Sequence, residues 1–296
     1  MDVNQEVALW RARNLVTTAY FVAFVLAVAV AFVVPGSTPL WTGLRADVAA
    51  TLAIFVFSFM LGNSSMYDPY WSVAPPLLVG GWILTAMDTG SLVRQGLVLM
   101  VTVAWGTRLT VNWQRGWTGL HHEDWRYVQL RQQTGPLYWL VSLAGLHFFP
   151  TLIVFLALWP AYEAVTEPSA GQTYALIGPA VCLIGTLLEG TADNQLAAFR
   201  ARSTDPHEVI REGLWAWSRH PNYLGEITFW WGLWLTAFLA DWQNALTVLG
   251  ALAITAMFRF ISIPMMEKRM LEKRAGYRHV MDEVSMIVPW PVRRSG

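Results

Sequence analysis

The stretch Gly213-Leu214-Trp215-Ala216-Trp217-Ser218-Arg219-His220-Pro221-Asn222-Tyr223-Leu224-Gly225-Glu226 decides how this chain is read. It opens a strongly apolar run, residues 227–240, yet begins with Arg-His and places a carboxylate one turn in. An ionisable group on a membrane helix costs roughly 2.5–3.5 kcal/mol on insertion scales, so such groups face a bundle interior or a polar cavity. Pro221 fixes φ and lacks an N–H that a first helical turn cannot use. Asn222 and Glu226 are four apart and share a helical face. Arg219 and His220 sit just before the helix start, where backbone N–H groups and the helix dipole favour a phosphate. A positive flank explains Arg219 and a capped start explains Pro221 and Asn222, but neither explains Glu226. The stretch therefore reads as a cofactor-anchoring helix start inside a membrane protein.

The composition agrees. Of 296 residues, 55% are hydrophobic and 14% charged, which leaves little polar surface for a soluble domain of this size. Seventeen Trp and nine Tyr suit a protein with two membrane–water interfaces. The formal net charge is zero, so no bulk electrostatic argument favours nucleic acid. Cys182 is the single cysteine, which excludes intrachain disulfides and a thiolate-rich metal cage. Residues 1–13 are too charged for a cleavable signal, and the apolar run after them reads as an anchor.

Apolar runs of spanning length occupy residues 15–34, 48–65, 71–87, 92–111, 137–162, 173–191, 223–240 and 243–263. The expected fold is all-α, a polytopic membrane bundle of about eight transmembrane helices. Numbering the spans from a cytoplasmic N-terminus puts sixteen of the twenty Lys and Arg residues inside, from Arg11 to Arg293 and Arg294. Arg45 and Arg94 fall outside, and Arg108 and Arg259 fall within spans. That split satisfies the positive-inside rule, so both termini are expected in the cytoplasm. A single membrane domain covers 1–296, with N-terminal helices in 1–66, substrate-side helices and a cytoplasmic lid in 67–170, and a cofactor-binding half in 171–296.

This topology gathers the polar clusters on the cytoplasmic side. Asp68 stands among Tyr67, Tyr70 and Trp71. An acid in an aromatic neighbourhood tends toward a raised pKa, which suits a proton donor; a plain Asp-Pro turn is the simpler account. Glu189 and Asp193 are four apart, and with Asn194 and Gln195 they offer the acceptors and donors that ribose hydroxyls and an amide require. An acidic interfacial flank is the alternative. Arg200 and Arg202 read either as phosphate ligands or as ordinary topogenic arginines. Arg108 reads equally as a structural partner of Glu123 or Asp124 and as a functional cation, while Arg259 favours a cofactor phosphate. In His121-His122-Glu123-Asp124 the adjacent imidazoles diverge by about 100° on a helix. No metal site is expected there, and a structured lid is. His147 reads as a satisfied core histidine.

Taken together, these residues resemble the steroid 5α-reductase superfamily, most closely its DUF1295 branch. The carrying motifs are Trp105-Gly106-Thr107-Arg108-Leu109, Glu123-Asp124-Trp125-Arg126-Tyr127, Glu189-x3-Asp193-x6-Arg200, the Gly213–Glu226 stretch, and a tail with Pro264, Glu267-Lys268-Arg269, Gly276-Tyr277 and Pro289-Trp290. The resemblance runs from about Tyr67 to Trp290. The superfamily includes sterol reductases that use NADPH and isoprenylcysteine carboxyl methyltransferases that use S-adenosylmethionine.

The resemblance implies a C-terminal half that cups NADPH from the cytoplasmic side, with NADH as a possible substitute. Glu189, Asp193, Arg200, Arg219, His220, Asn222, Tyr223, Glu226, Arg259 and Glu267 fall at its cofactor positions. The chain departs from the steroid reductases in its substrate half. Those carry a Gln-Glu pair where this chain has Asp68-Pro69-Tyr70-Trp71, and a tyrosine where it has Trp105. The catalytic candidates are therefore Asp68, Tyr70 and Tyr67. The expected activity is NADPH-dependent reduction of a polarised C=C bond in a steroid-like or isoprenoid substrate that enters from the bilayer. The alternative is S-adenosylmethionine-dependent methylation of a membrane-embedded acceptor. The expected location is a bacterial inner membrane, or the endoplasmic reticulum in a eukaryote, with the site facing the cytoplasm.

Overall fold

A computed structural model describes residues 3–168, 174, 176–274 and 276–290. Arg293 and Arg294, counted above among the inner cations, and Thr173, the expected start of the sixth span, lie outside these. The chain is all-helical; among the described residues two isolated bridges occur and no strand. It divides into two compact units, Met1–Ser169 and Ala170–Gly296.

The first unit holds α1 (Val3–Val33), α2 (Pro39–Met60), α3 (Tyr70–Thr85), α4 (Leu92–Gly116) and the short α5 (Trp125–Thr134). Next come α6 (Tyr138–Val141), a π-helical segment (Ser142–Phe148) and α7 (Phe149–Thr166). Turn chemistry sets these bounds. Thr38 caps α2 and is followed by Pro39, Ser91 caps α4, and Asp124 caps α5, each with a side-chain oxygen that satisfies an orphan N–H. The second span expected from sequence, 48–65, is displaced. The helix already begins at Pro39 and ends at Met60, and a separate 3-10 turn forms at Ser64–Tyr67. Asn63 causes this break, because its side chain accepts from the Ser65 N–H and competes with the helical ladder.

The 3-10 turn is pulled inward. Met66, Tyr67 and Tyr70 pack with Ala19 and Ala23 of α1 and Ala50, Ala53 and Ile54 of α2. The Tyr20 hydroxyl donates to the Met66 carbonyl at 3.0 Å. Buried irregular backbone needs hydrogen-bond partners, and here a side chain supplies one. Arg94 does related work at the end of α7. It lies buried in α4 and donates to the Ala164 and Glu167 carbonyls, which are orphan acceptors of a helix C-terminus.

The second unit holds α8 (Ile177–Arg202), α9 (Pro221–Ala240), α10 (Val248–Met257), a π-helical segment (Phe258–Ser262), α11 (Ile263–Lys273) and α12 (Tyr277–Glu283). The α8 and α9 helices pack antiparallel on glycine. A Cβ at Gly178 would meet the Thr236 N and Gly232 O, and one at Gly232 would meet Cys182. A Cβ at Gly225 would stand 2.6 Å from both the N and the Cβ of Glu189. Only glycine admits such close approach of two backbones.

Four helical stretches are long and apolar enough to cross a membrane by themselves: Glu6–Val33, Pro39–Met60, Trp125–Thr166 and Trp242–Lys273. The remaining expected spans are also helical but carry weaker signals. The α3 helix has 16 residues. The α4 helix carries Arg94, Arg108 and Arg115, α8 carries Glu189, Asp193, Arg200 and Arg202, and α9 gives three positions to indole.

Candidate functional site

In the second unit the glycine contacts set the register between α8 and α9, and so decide which polar side chains meet. With Gly225 against Glu189, Asn222 lies opposite Asp193, and its amide donates to Asp193 Oδ1 at 3.4 Å. Asn222 Oδ1 also accepts from the Tyr223 N–H at 3.1 Å. Glu226, 1% exposed, accepts from the Trp230 indole N–H at 2.9 Å, one turn on. Pro221 opens α9 as the sequence requires, with His220 as the N-cap residue.

Arg219, His220 and Glu267 form one buried cluster. Glu267 Oε1 accepts from Arg219 Nε at 2.7 Å and lies 3.2 Å from His220 Nε2. The His220 ring stacks on Tyr223 at 5.4 Å and 8°, and Tyr223 packs on Phe258 at 4.6 Å. Arg219 is also committed to the tail. Its Nη1 donates to the Met281 and Val284 carbonyls, and its backbone N–H donates to Ser285 O at 2.8 Å. Arg219 thus ties the helix start to the chain after α12, a link that local sequence does not reveal.

Arg200 lies two turns beyond Asp193 on α8. It feels the like charge of Arg274 and the opposite charge of Asp193. Arg274 carries no sequence signal that separates it from the other basic residues of the tail. Arg259 is exposed in the second π-helical segment, with its guanidinium 5.4 Å from the Phe260 ring centroid. Of the ten cofactor candidates, Glu189, Asp193, Asn222 and Arg200 form one group, and Arg219, His220, Tyr223 and Glu267 another. Glu226 and Arg259 face their own aromatic neighbours.

In the first unit the three catalytic candidates point to different partners. The Tyr67 hydroxyl meets Thr151 Oγ1 at 2.7 Å, and Thr151 meets Thr51 at 2.9 Å. The Tyr70 hydroxyl donates to Asp47 Oδ1 at 2.6 Å. Asp68 turns instead to the lid, where Tyr127 O–H donates to Asp68 Oδ1 at 2.6 Å. Desolvation raises the Asp68 carboxyl to about 6, against the opposing pull of the Tyr127 hydrogen bond and the Arg126 charge. Asp47, Tyr127 and Thr151 were missed by reading the sequence. Asp47 is the one with a signal, because a buried carboxyl on a membrane helix is unusual.

The His121–Arg131 region is the expected lid. Asn63 donates to the Leu120 and His122 carbonyls at 2.8 and 3.0 Å. Glu123 accepts from Ser64 N at 2.7 Å and pairs with Arg131 at 3.0 Å, and Asp124 pairs with Arg126 at 2.7 Å. Each of these two carboxylates thus has a lid arginine as an ion-pair partner. His147 is wholly buried, with Nδ1 2.9 Å from Ser142 O and Nε2 3.2 Å from Ser58 Oγ.

Comparison with known proteins places the chain. The family described as "Protein of unknown function (DUF1295)" matches residues 54–284. The chain belongs to this family, the steroid 5α-reductase-like branch. An uncharacterised protein of Schizosaccharomyces pombe is similar, 25% identical over 278 residues that cover 86% of this chain and 80% of the relative. No solved structure matches the chain.

Proposed function

We propose that the chain is an NADPH-dependent membrane reductase of a polarised C=C bond in a lipophilic substrate. Membership of a steroid 5α-reductase-like family supports this class. What supports the choice of cofactor is the basic end of α8, where Arg200 stands in the last turn beyond Asp193 and Asn222, the pair set in register by the Gly225 contact. A guanidinium at that end suits an anion, and a nucleotide with phosphates supplies one. S-adenosylmethionine has no phosphate and carries a sulfonium cation, so the arrangement disfavours the methyltransferase reading. The carboxylates of Glu189 and Asp193 and the amide of Asn222 match ribose hydroxyls and a carboxamide in donor and acceptor type. Bound NADPH supplies a hydride.

The chain's own residues then have separate tasks. Arg200 holds phosphate charge. Asp193 and Asn222, set by the Gly225 contact, orient the polar parts of the cofactor. Asp68 hydrogen-bonds the substrate carbonyl as enolate charge develops. Asn222→Ala and Glu226→Ala are each expected to weaken NADPH binding while the protein stays folded in detergent. Unchanged affinity by calorimetry in both variants would remove this site.

The same reading includes eight spans with both termini in the cytoplasm of an integral membrane protein. The four weaker helices cross because their charges sit near the inner ends or face the interior, where the cost of a polar side chain falls. Single cysteines introduced at Arg13 and after Arg293 should be labelled only from the cytoplasmic side. Labelling of the two ends from opposite faces would mean an odd number of spans.

A further inference from the structure

We propose that Tyr127 is the positioning partner of Asp68: its phenol holds one carboxyl oxygen, turns the other toward the substrate carbonyl, and stabilises the carboxylate formed when the proton leaves. The inference rests on the reading of Asp68 as the acid of a reductase.

The geometry comes from the lid. Between Gly62 and Asp68 the inward turn is clasped by residues 120–131. Asn63 bonds two lid carbonyls, the Ser64 N–H meets Glu123, the Asp124 N–H donates to Ser65 Oγ, and Arg131 donates to the Gly62 carbonyl. Each of these contacts satisfies a backbone group or a lid charge. The Tyr127–Asp68 contact does neither. It joins two side chains directly at 2.6 Å, a short O–H···O bond. Tyr127 is 8% exposed, and its ring carries Arg126 at 5.5 Å. The phenol is therefore fixed in direction before any substrate arrives.

The chemistry needs such a partner. In such a reduction Asp68 would give its proton to the substrate carbonyl oxygen, and a hydride supplied by bound NADPH would complete the enol, leaving NADP+ and the Asp68 carboxylate. The α-carbon would then take a proton from water, leaving a hydroxide that a solvent proton neutralises, as the enol O–H returned its proton to Asp68; one proton is consumed from solvent per turnover. The carboxylate exists only between these two steps. A donor already aimed at Oδ1 stabilises it without reorganisation, the condition under which a hydrogen bond contributes most to a rate. The charged and titratable groups that face Asp68 are Tyr127 and Arg126 from α5, Asp124 just before it, and Tyr20 from α1. Of these, Tyr127 has a direct hydrogen bond to the carboxyl, and the Ser65 hydroxyl is a second, weaker hydrogen-bonding neighbour that stays in place in the Tyr127 variants.

The test reads Asp68 itself. The carbonyl stretch of its protonated carboxyl, assigned as the infrared band lost in Asp68→Asn, is followed against pH in detergent-solubilised full-length protein. In the wild type the band should fade with a midpoint near 6. In Tyr127→Phe the midpoint should move up by about one unit, because a hydrogen bond to the charged form has been removed. Tyr20→Phe, which lacks that bond to the carboxyl, should leave it within a few tenths. If Tyr127→Phe does not fold, 3-fluorotyrosine at position 127, a more acidic phenol and stronger donor, should move the midpoint down. An unmoved midpoint in the phenylalanine variant, or in the fluorotyrosine protein where that variant is unfolded, would overturn the proposal. NADPH titration of the same samples keeps the two readings apart. Absence of NADPH binding in the wild type would sink the reductase, while an unmoved midpoint with NADPH binding intact would sink Tyr127 alone.

Discussion

Asp68→Asn should lower turnover about 10²-fold once a substrate is in hand, with near-normal affinity for NADPH. The substitution preserves shape, because the asparagine carbonyl can still accept from Tyr127, which now bonds Asp68 Oδ1 at 2.6 Å. What is lost is a proton that can follow developing charge. The interaction strengthens only as the enolate forms, so kcat should fall more than KM rises. The wild type should also show a falling limb above about pH 6, where Asp68 ionises and its acid form declines tenfold per unit. That limb should be absent in Asp68→Asn. The comparison residue is Tyr70, whose O–H is already committed to Asp47. Tyr70→Phe should mainly cost stability, about 1–3 kcal/mol, by leaving a buried acceptor without its donor. Full turnover in Asp68→Asn with loss in Tyr70→Phe would move the acid to Tyr70.

Gly225→Val should strongly destabilise the second unit. A Cβ there meets the backbone N of Glu189 at 2.6 Å and the Gly185 carbonyl at 2.7 Å. Backbone atoms do not move aside by rotation, so α8 and α9 must separate. Overpacking of this kind costs about 3 kcal/mol or more, which corresponds to a Tm loss on the order of 5–10 °C. NADPH affinity should fall with it, since the same contact sets Asn222 opposite Asp193. The control is Gly96→Ala in α4, where an added Cβ meets nothing within 4 Å and the helix should gain up to about 1 kcal/mol. A Gly225→Val protein with unchanged Tm would mean that the two helices do not touch there.

The sequence made the helical membrane character legible because apolar runs and flanking cations are local signals. Membership of the DUF1295 family was legible from motifs such as Glu123-Asp124-Trp125-Arg126-Tyr127, and the helix start at Pro221 from its own chemistry. The commitments of the side chains were not legible. Arg219 sits where a phosphate ligand belongs, yet three of its donors go to Glu267, Met281 and Val284, and only the return of the tail explains that. Tyr67, Asp68 and Tyr70 are near neighbours in sequence, but a tight turn followed by a helix start sends their polar ends to α7, α5 and α2 in that order. Asp47 precedes the apolar run from residue 48, and that run marks only part of the helix. The helix in fact begins nine residues earlier, at Pro39. Periodicity reports which face is apolar, whereas partner choice depends on register between elements far apart in the chain.

The central claim is tested most directly by calorimetric titration of the detergent-purified wild-type protein with NADPH and, separately, with S-adenosylmethionine. A reductase of this kind should show saturable binding of NADPH, weakened by Arg200→Ala, and no heat from S-adenosylmethionine. Saturable binding of S-adenosylmethionine with none of NADPH would contradict it and make the protein a methyltransferase.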